Sequence, residues 1–441
     1  MFSGMLLILI GVLFLLHERI PGLSFGHLFR YWPVLLILWG LARLYDHMMA
    51  ERGGGGRPPM IRGGEIGMTI LVVFLVGSVA AWDKVHNQFP DMEFPGFSAS
   101  ASDTVDLPVK PVRPGARISI VLARGDIVVH TGTDVELRVA VSKSAKGMTD
   151  AEAHKKLDET TVNITESSDG YDIRPQIGGD ARGISTNLDV TAPAKVSLTI
   201  TTQHGDITVS GVQGGITASS QNGDIEVRDA GSDVSVQVDH GDARVLTVAG
   251  DARISGRGGE VEFGDVTGDA TLDGEFDGPI RMHNIKKTAH FTSSRSSVTI
   301  AALTGSLDID SDGMEISGAG DTVLTTRDKN ISLEKVSGRI QIANRRGDIQ
   351  MQFAEPPKQE ISVTNDSASI ELDLPANSSF ELNAWNPSGD IVSDFESPTL
   401  VKTNGDNSRL MGKYGTKGPQ IKLTTSYGTI TLHKAGTEKN E

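Results

Sequence analysis

The sequence predicts an all-β solenoid preceded by a transmembrane α-helical region, and three observations predict it. The phrase Gly-Asp-Ile returns at Gly205-Asp206-Ile207, Gly223-Asp224-Ile225 and Gly347-Asp348-Ile349, with weaker copies between them. The apolar residue that follows each Gly-x pair recurs at nine-residue steps through Ile207, Ile216, Ile225, Val234, Ala243, Ala252, Val261 and Ala270. The composition is that of a turn-rich repeat, with 50 Gly and 5% aromatic residues. Regularity at a fixed period is the mark of a stacked architecture, because one repeat cannot bury its own face.

Each step has a physical reading. A second apolar residue stands two positions after most markers (Val209, Val227, Val236, Val245, Ile254), and apolar residues at i and i+2 describe a short strand with one buried face. The Gly-Asp pair before it supplies the turn, since Gly accepts positive φ and Asp bonds nearby backbone. An up-and-down meander and a solenoid both suit a nine-residue step. The strongest copies recur at eighteen (205, 223, 241), as if two faces alternate, which favours an eighteen-residue coil of two strands. The series continues through Ile280, Ala289, Val298, Leu307 and Ile316, and then Ile331, Ile340 and Ile349, with one shortened interval between Ile316 and Ile331.

With 441 residues the chain has room for two or three domains. Its formal charge of −15 argues against nucleic acid as a partner. The absence of cysteine removes disulfides, thiolate metal sites and thiol catalysis.

In chain order, three apolar segments at 2–16, 31–44 and 66–82 predict transmembrane helices, the last being seventeen residues without a charge. Residues 43–65 hold Arg43, Arg52, Arg57 and Arg62, whereas 83–103 holds only Lys84. The positive-inside rule then places 43–65 in the cytoplasm and everything after Trp82 outside. The expected location is the cell (inner/cytoplasmic) membrane, multi-pass, with the β domain extracytoplasmic. The run GVLFLL, a short Gly-containing loop and YWPVLLILWGLARL, with Trp32-Pro33 and Gly40, resemble the membrane region of LiaF-type envelope-stress proteins. That resemblance implies regulation of a membrane sensor kinase.

Residues 83–115, with Pro90, Pro95, Pro108, Pro111 and Pro114, read as an extended linker, and the β domain is expected over 116–433. Gly125-Asp126-Ile127 is an early copy. Thr149 followed by Glu152 reads as an N-cap with Glu at N3, so a helical insertion is expected near 148–160. Pro356-Pro357 breaks the register; Gly389-Asp390-Ile391 and Gly428-Thr429-Ile430 are late copies, with a polar insertion from 404 to 417 between them, and 434–441 is a charged tail. Ala192-Pro193-Ala194, the serial Gly-Asp-Ile copies, Leu374-Pro375-Ala376-Asn377-Ser378-Ser379-Phe380 and Tyr427-Gly428-Thr429-Ile430 resemble the bacterial putative-adhesin family of β-strand repeats over about 98–433.

Candidate chemistry is sparse. An eighteen-residue coil stacks Asp206, Asp224, Asp242 and Glu260 along one edge, and calcium takes such oxygen ligands. The roll phrase G-G-x-G-x-D-x-U-x is absent, so solvated turn carboxylates are the preferred reading. Asp251, Asp269 and Asp273 could form the paired carboxylates of a polysaccharide-cleaving β-helix, but Asp falls wherever the turn needs it. His204 and His240 share one position in the repeat two coils apart. Arg124-Gly125-Asp126 and Arg346-Gly347-Asp348 spell an attachment tripeptide that the turn produces by itself. No nucleophile, zincin or phosphate-loop phrase is present. The reading is therefore a membrane-anchored envelope protein that is not an enzyme and has no cofactor. It presents an adhesin-like or structural module to an envelope protein or glycan ligand. An envelope-stress regulator acting on a sensor kinase is the first alternative, and a polysaccharide-active enzyme the second.

Overall fold

A computed structural model describes residues 99–435, apart from 134, 404 and 406. The apolar segments 2–16, 31–44 and 66–82 lie outside these residues. Among the described residues no helix is long and apolar enough to cross a membrane. The chain forms two compact units, a smaller one that includes 143–160 and 177–185 and a larger one that includes 104–142, 161–176 and 186–435.

In the larger unit, strands eighteen residues apart pair in parallel. Ile207 stands beside Ile225, Ile225 beside Ala243, and Ala243 beside Val261, forming one sheet. Ile216, Val234, Ala252 and Ala270 form a second sheet in the same way. Alternate strands thus go to alternate sheets, consistent with a β-solenoid of two-strand coils. Inward residues are the predicted i and i+2 pairs, with Val227, Val245, Phe263 and Met282 fully buried in the first sheet. Each such side chain contributes about 1.5–3 kcal/mol on leaving water. Ala243, Ala252, Ala270 and Ala289 are equally buried.

The Gly-Asp corner is fixed by steric necessity. Gly205 and Gly223 have φ of 137° and 145°. A Cβ on Gly223 would lie 2.1 Å from the Gly205 carbonyl oxygen. Only glycine allows one coil to sit this closely on the last. A second corner, invisible in the repeat phrase, uses Asp229, Thr247, Asp265, Asn284 and Ala302, all with φ between 53° and 57°. These left-handed residues drop out of the pairing register and return Ala230, Val248 and Val266 to the interior.

Three features depart from the regular stack that the repeat predicts. First, Ile280–Thr292 and Ser297–Ile309 are thirteen-residue strands that pair antiparallel, Phe291 beside Val298 and Met282 beside Leu307. The turn between them is closed by serine: Ser293 N–H donates to the Ser296 carbonyl at 2.8 Å, and Ser296 N–H to Ser293 Oγ at 3.1 Å. The nine-residue marker survives this reversal because a hairpin and a coil both use an i, i+2 strand plus a short turn. Second, both ends are threaded out of sequence order. Strand Arg117–Arg124 lies between Gly170–Ile177 and Ser197–His204. Likewise Gln420–Thr425 lies between Ile361–Asn365 and Phe380–Asn386, and Ile430–Ala435 between Ile370–Pro375 and Ile391–Ser393. Third, strands occur where loops are expected. Ala99–Asp106 and Lys110–Pro111 fall in the stretch read as linker, and Ser408–Tyr414 falls in the polar insertion, antiparallel to Phe380–Asn386. Prolines and scattered polar residues hide their alternation.

In the smaller unit, the helix spans Asp150–Asp158. The Thr149 hydroxyl accepts from Glu152 N–H at 3.2 Å, and Glu152 Oε2 accepts from Met148 N–H at 2.9 Å, the reciprocal cap that the sequence encodes. Its buried face, Ala153 and Leu157, packs with Ala101, Ala145 and Ile184.

Candidate functional site

Inward positions are spent on the core, so chemistry has to come from the corners and the outward faces. At the Gly-Asp corner the carboxylates form a ladder. Asp206 N–H donates to Asp126 Oδ1 at 3.0 Å, Asp224 N–H to Asp206 Oδ1 at 2.8 Å, Asp242 N–H to Asp224 Oδ1 at 2.8 Å, and Glu260 N–H to Asp242 Oδ1 at 2.8 Å. The structure therefore brings together the four residues singled out as calcium candidates, and gives the three aspartates a defined task. Each holds the amide of the next coil in a charge-assisted hydrogen bond. Among the described residues no group of three or more His, Asp or Glu side chains is arranged to hold a metal ion.

The other corner repeats the device. Asp251 N–H donates to Asp233 Oδ1 at 2.9 Å, Asp269 N–H to Asp251 Oδ1 at 2.9 Å, and Thr288 N–H to Asp269 Oδ1 at 3.0 Å. Asp273 is ion-paired with Arg253. Hence Asp251, Asp269 and Asp273, the trio considered for polysaccharide cleavage, all have structural partners. Asp126 and Asp348, the acids of the two Arg-Gly-Asp phrases, also sit in such ladders. His204 and His240 stack at one corner position with Asn222 between them: Gly205 N–H donates to the Asn222 carbonyl at 2.9 Å, and Gly223 N–H to that of His240 at 2.9 Å.

The two outward faces differ in character. On the Ile207 sheet the register aligns Glu226, Arg244, Glu262, Arg281 and Asp308, so charges alternate from strand to strand. Arg244 Nε lies 3.7 Å from Glu262 Oε2. These pairs are partly exposed and each stabilises weakly, by about 0–1 kcal/mol. Further along this face His433 Nδ1 lies 3.1 Å from Asp394 Oδ2, and its Nε2 lies 3.7 Å from Glu371 Oε1. Burial works against the Asp394 carboxylate, but the Lys434 N–H and His433 outweigh it and hold its pKa below the usual carboxylate value.

On the Ile216 sheet the outward row is hydroxylic: Ser119, Thr199, Thr217, Ser235 and Thr271, interrupted by Arg253. A shallow open cleft of 680 Å³ runs along this row, from Arg117 at one end to Thr271 at the other, with Asp233, Asp251 and Asp269 also lining it. A smaller cleft of 260 Å³, lined by Asp169, Asp172 and Arg174 among others, shares Arg117 with it. Arg117 in turn donates to Thr199 Oγ1 at 3.1 Å. Neither cleft was visible in the sequence. The eighteen-residue spacing from Thr199 to Thr217 to Ser235 was the available signal, but Arg117 joins the row only through the out-of-order threading.

No curated protein matches the chain. It is similar in structure to a putative cell adhesion protein from Clostridium sporogenes at 7% identity and a TM-score of 0.15, covering 75% of this chain and 100% of that one. It is also similar to a putative adhesin from Bacteroides fragilis at 13% identity and a TM-score of 0.19, covering 75% and 97%. At such scores these likenesses carry no argument about the site. Residues 1–44 match the LiaI-LiaF-like transmembrane region. The coils themselves match from residue 116 to residue 433, and by that match the chain belongs to the Toastrack DUF4097 family.

Proposed function

We propose that this protein is a membrane-anchored, non-catalytic interaction module of the cell envelope. Its β region is exported and presents rigid outward rows to an envelope ligand. The observation that carries this reading is the presence, on one polypeptide, of a LiaI-LiaF-like transmembrane region and a Toastrack region of stacked strands. The arginine excess in 43–65 supports an extracytoplasmic β region. The corner carboxylates support a non-catalytic reading, since they are tied to backbone amides along the ladders. Cell fractionation with protease treatment of spheroplasts tests it. The expected result is membrane recovery with cleavage of the β region from outside; a protected β region or a soluble protein would overturn it.

The LiaI-LiaF-like match also favours a second reading, a regulator whose transmembrane segments act on a sensor kinase while the β region reports envelope state. Replacing residues 1–82 with an unrelated membrane anchor separates the two. A simple module keeps its ligand binding and changes no stress-responsive transcription, whereas a regulator loses its transcriptional effect.

A further inference from the structure

We propose that the outward groove of the Ile216 sheet is a binding site for an extended, neutral polysaccharide strand lying across the β-strands, with Arg117 at the junction of its two clefts. This deepens the module reading above and rests on it.

Geometry comes first. The two clefts meet at Arg117, and together they cross the strands that carry Asp172, Arg117, Thr199, Thr217, Ser235, Arg253 and Thr271. Strand neighbours lie about 4.8 Å apart, so six intervals give a groove about 29 Å long. A site of that length, shallow and open, accommodates a linear polymer better than a compact metabolite, which needs enclosure.

The lining then selects the polymer. Asp233, Asp251 and Asp269 are each pinned through Oδ1 by the N–H of the next coil, and their Oδ2 atoms make no hydrogen bond within the chain among the described residues. They form a row of immobile acceptors at the coil spacing. Thr199, Thr217, Ser235 and Thr271 run beside them and can donate or accept. Arg117 and Arg253 supply donors only. A repeating hydroxyl-bearing chain satisfies all three kinds of group, and because the acceptors are already ordered, binding costs little further freedom.

Other polymers fit less well. The two clefts hold Arg117, Arg174 and Arg253 against Asp169, Asp172, Asp233, Asp251 and Asp269, and the whole chain carries −15, so a polyanion is repelled. No large exposed apolar side chain lines either cleft, which leaves an apolar peptide without anchors. The groove also lies across paired strands and not at a sheet edge, so strand addition is not available to a peptide.

The test uses the full chain in lipid nanodiscs, free of sugar-based detergent, with cellohexaose, chitohexaose and mannohexaose as probes and hexagalacturonate as the anionic comparator. At least one neutral hexasaccharide should bind, more tightly than its trisaccharide, and hexagalacturonate should not. Ser235→Trp, which fills the groove from an outward position, and Arg117→Ala should each weaken binding at least tenfold. Ser332→Trp, outward on the opposite sheet, should leave it unchanged. No binding of any neutral hexasaccharide, preference for the anionic one, or full binding by Ser235→Trp would overturn the groove. Fractionation is read separately. A membrane-bound, exported chain that binds no glycan sinks the groove alone, whereas a soluble or inward-facing chain sinks the module reading.

Discussion

The backbone amide of Asp224 donates to Asp206 Oδ1, one coil back, at 2.8 Å. The same bond recurs at both Gly-Asp corners, and asparagine replaces aspartate in it at Asn187 and Asn330. The aspartate of the repeat is therefore selected for a side-chain oxygen at that position. Asp224→Ala should lower stability by about 1 kcal/mol, since the freed amide is exposed and water can replace the oxygen. Asp224→Asn should cost less than half of that, because it keeps the acceptor and removes like charge from the ladder. Urea midpoints of the three proteins check this. The same samples test the calcium alternative for Asp206, Asp224, Asp242 and Glu260: EDTA should leave the midpoint unchanged, and a fall on chelation would assign the ladder a cation.

Thr247 holds φ of 57°, in a region where a β-branched residue is strained. Thr247→Gly should therefore raise the thermal midpoint, with relief of strain of about 1 kcal/mol exceeding the entropy glycine adds to the unfolded chain. Thr208→Gly, in the extended strand Ile207–Ser210, should lower it by a similar amount. If both substitutions destabilise, the left-handed corner is not strained.

The last coil by sequence is not the last in space, because Ile430 pairs with both Ile370 and Ile391. Ending the chain at residue 418 removes the strands that join those neighbours and leaves four unpaired edges. Hydrogen exchange should show protection lost across 361–418 while strands between 197 and 292 stay protected, since stacked coils depend mainly on their nearest neighbours. Uniform loss of protection would show instead that the stack folds as one cooperative unit.

The carboxylate of Asp310 accepts from Gly313 N–H and Asp312 N–H, both at 2.8 Å, and these bonds hold its pKa below the ordinary value. A depressed folded pKa contributes stability above the unfolded value of about 3.9 and loses it as pH falls through the folded value. An NMR titration should place the Asp310 midpoint below that of an unstructured aspartate. In Asp310→Asn the stability lost between pH 4 and the acid limit, on the order of pH 2, should shrink. The group is exposed, so the difference is small.

Much of this fold could be read from the sequence, and the reason lies in particular residues. Ile207, Ile225, Ala243 and Val261 are spaced by the coil itself, so period and pairing are the same fact. Period stops being informative at Val298 and Leu307, where a serine-closed hairpin keeps the nine-residue count while reversing direction. The positions of Arg117–Arg124 and Ile430–Ala435 were not legible, because threading order depends on which edge each strand finds and leaves no mark in composition. The corner residues Asp229, Thr247 and Asp265 stayed hidden because no glycine flags them. The groove needed register between strands, which a single repeat does not contain.

A buried polar ladder gives the sharpest stability test. Asn386 is wholly buried, and its Nδ2 donates to the Asp390 carbonyl at 3.1 Å and the Gly428 carbonyl at 2.9 Å. Asn344 and Asn365 serve the Gly347 corner in the same way, at 3.1 and 2.9 Å. Asn386 and Asn344 each donate both side-chain N–H groups to backbone carbonyls, and Asn365 donates one. Asn386→Leu has comparable volume and removes both donors; the Asp390 carbonyl keeps the Ile430 N–H at 3.0 Å, but the Gly428 carbonyl loses its side-chain donor, so the change should cost about 1–3 kcal/mol. Asn386→Asp should cost more, because it turns acceptor oxygens on the same carbonyls and buries a charge. Its loss should grow as pH rises above the aspartate range, whereas the loss in Asn386→Leu stays flat. Denaturation midpoints at pH 5 and pH 8 read both. If Asn386→Leu is as stable as the wild type, the asparagines fill space and do not hold the corners.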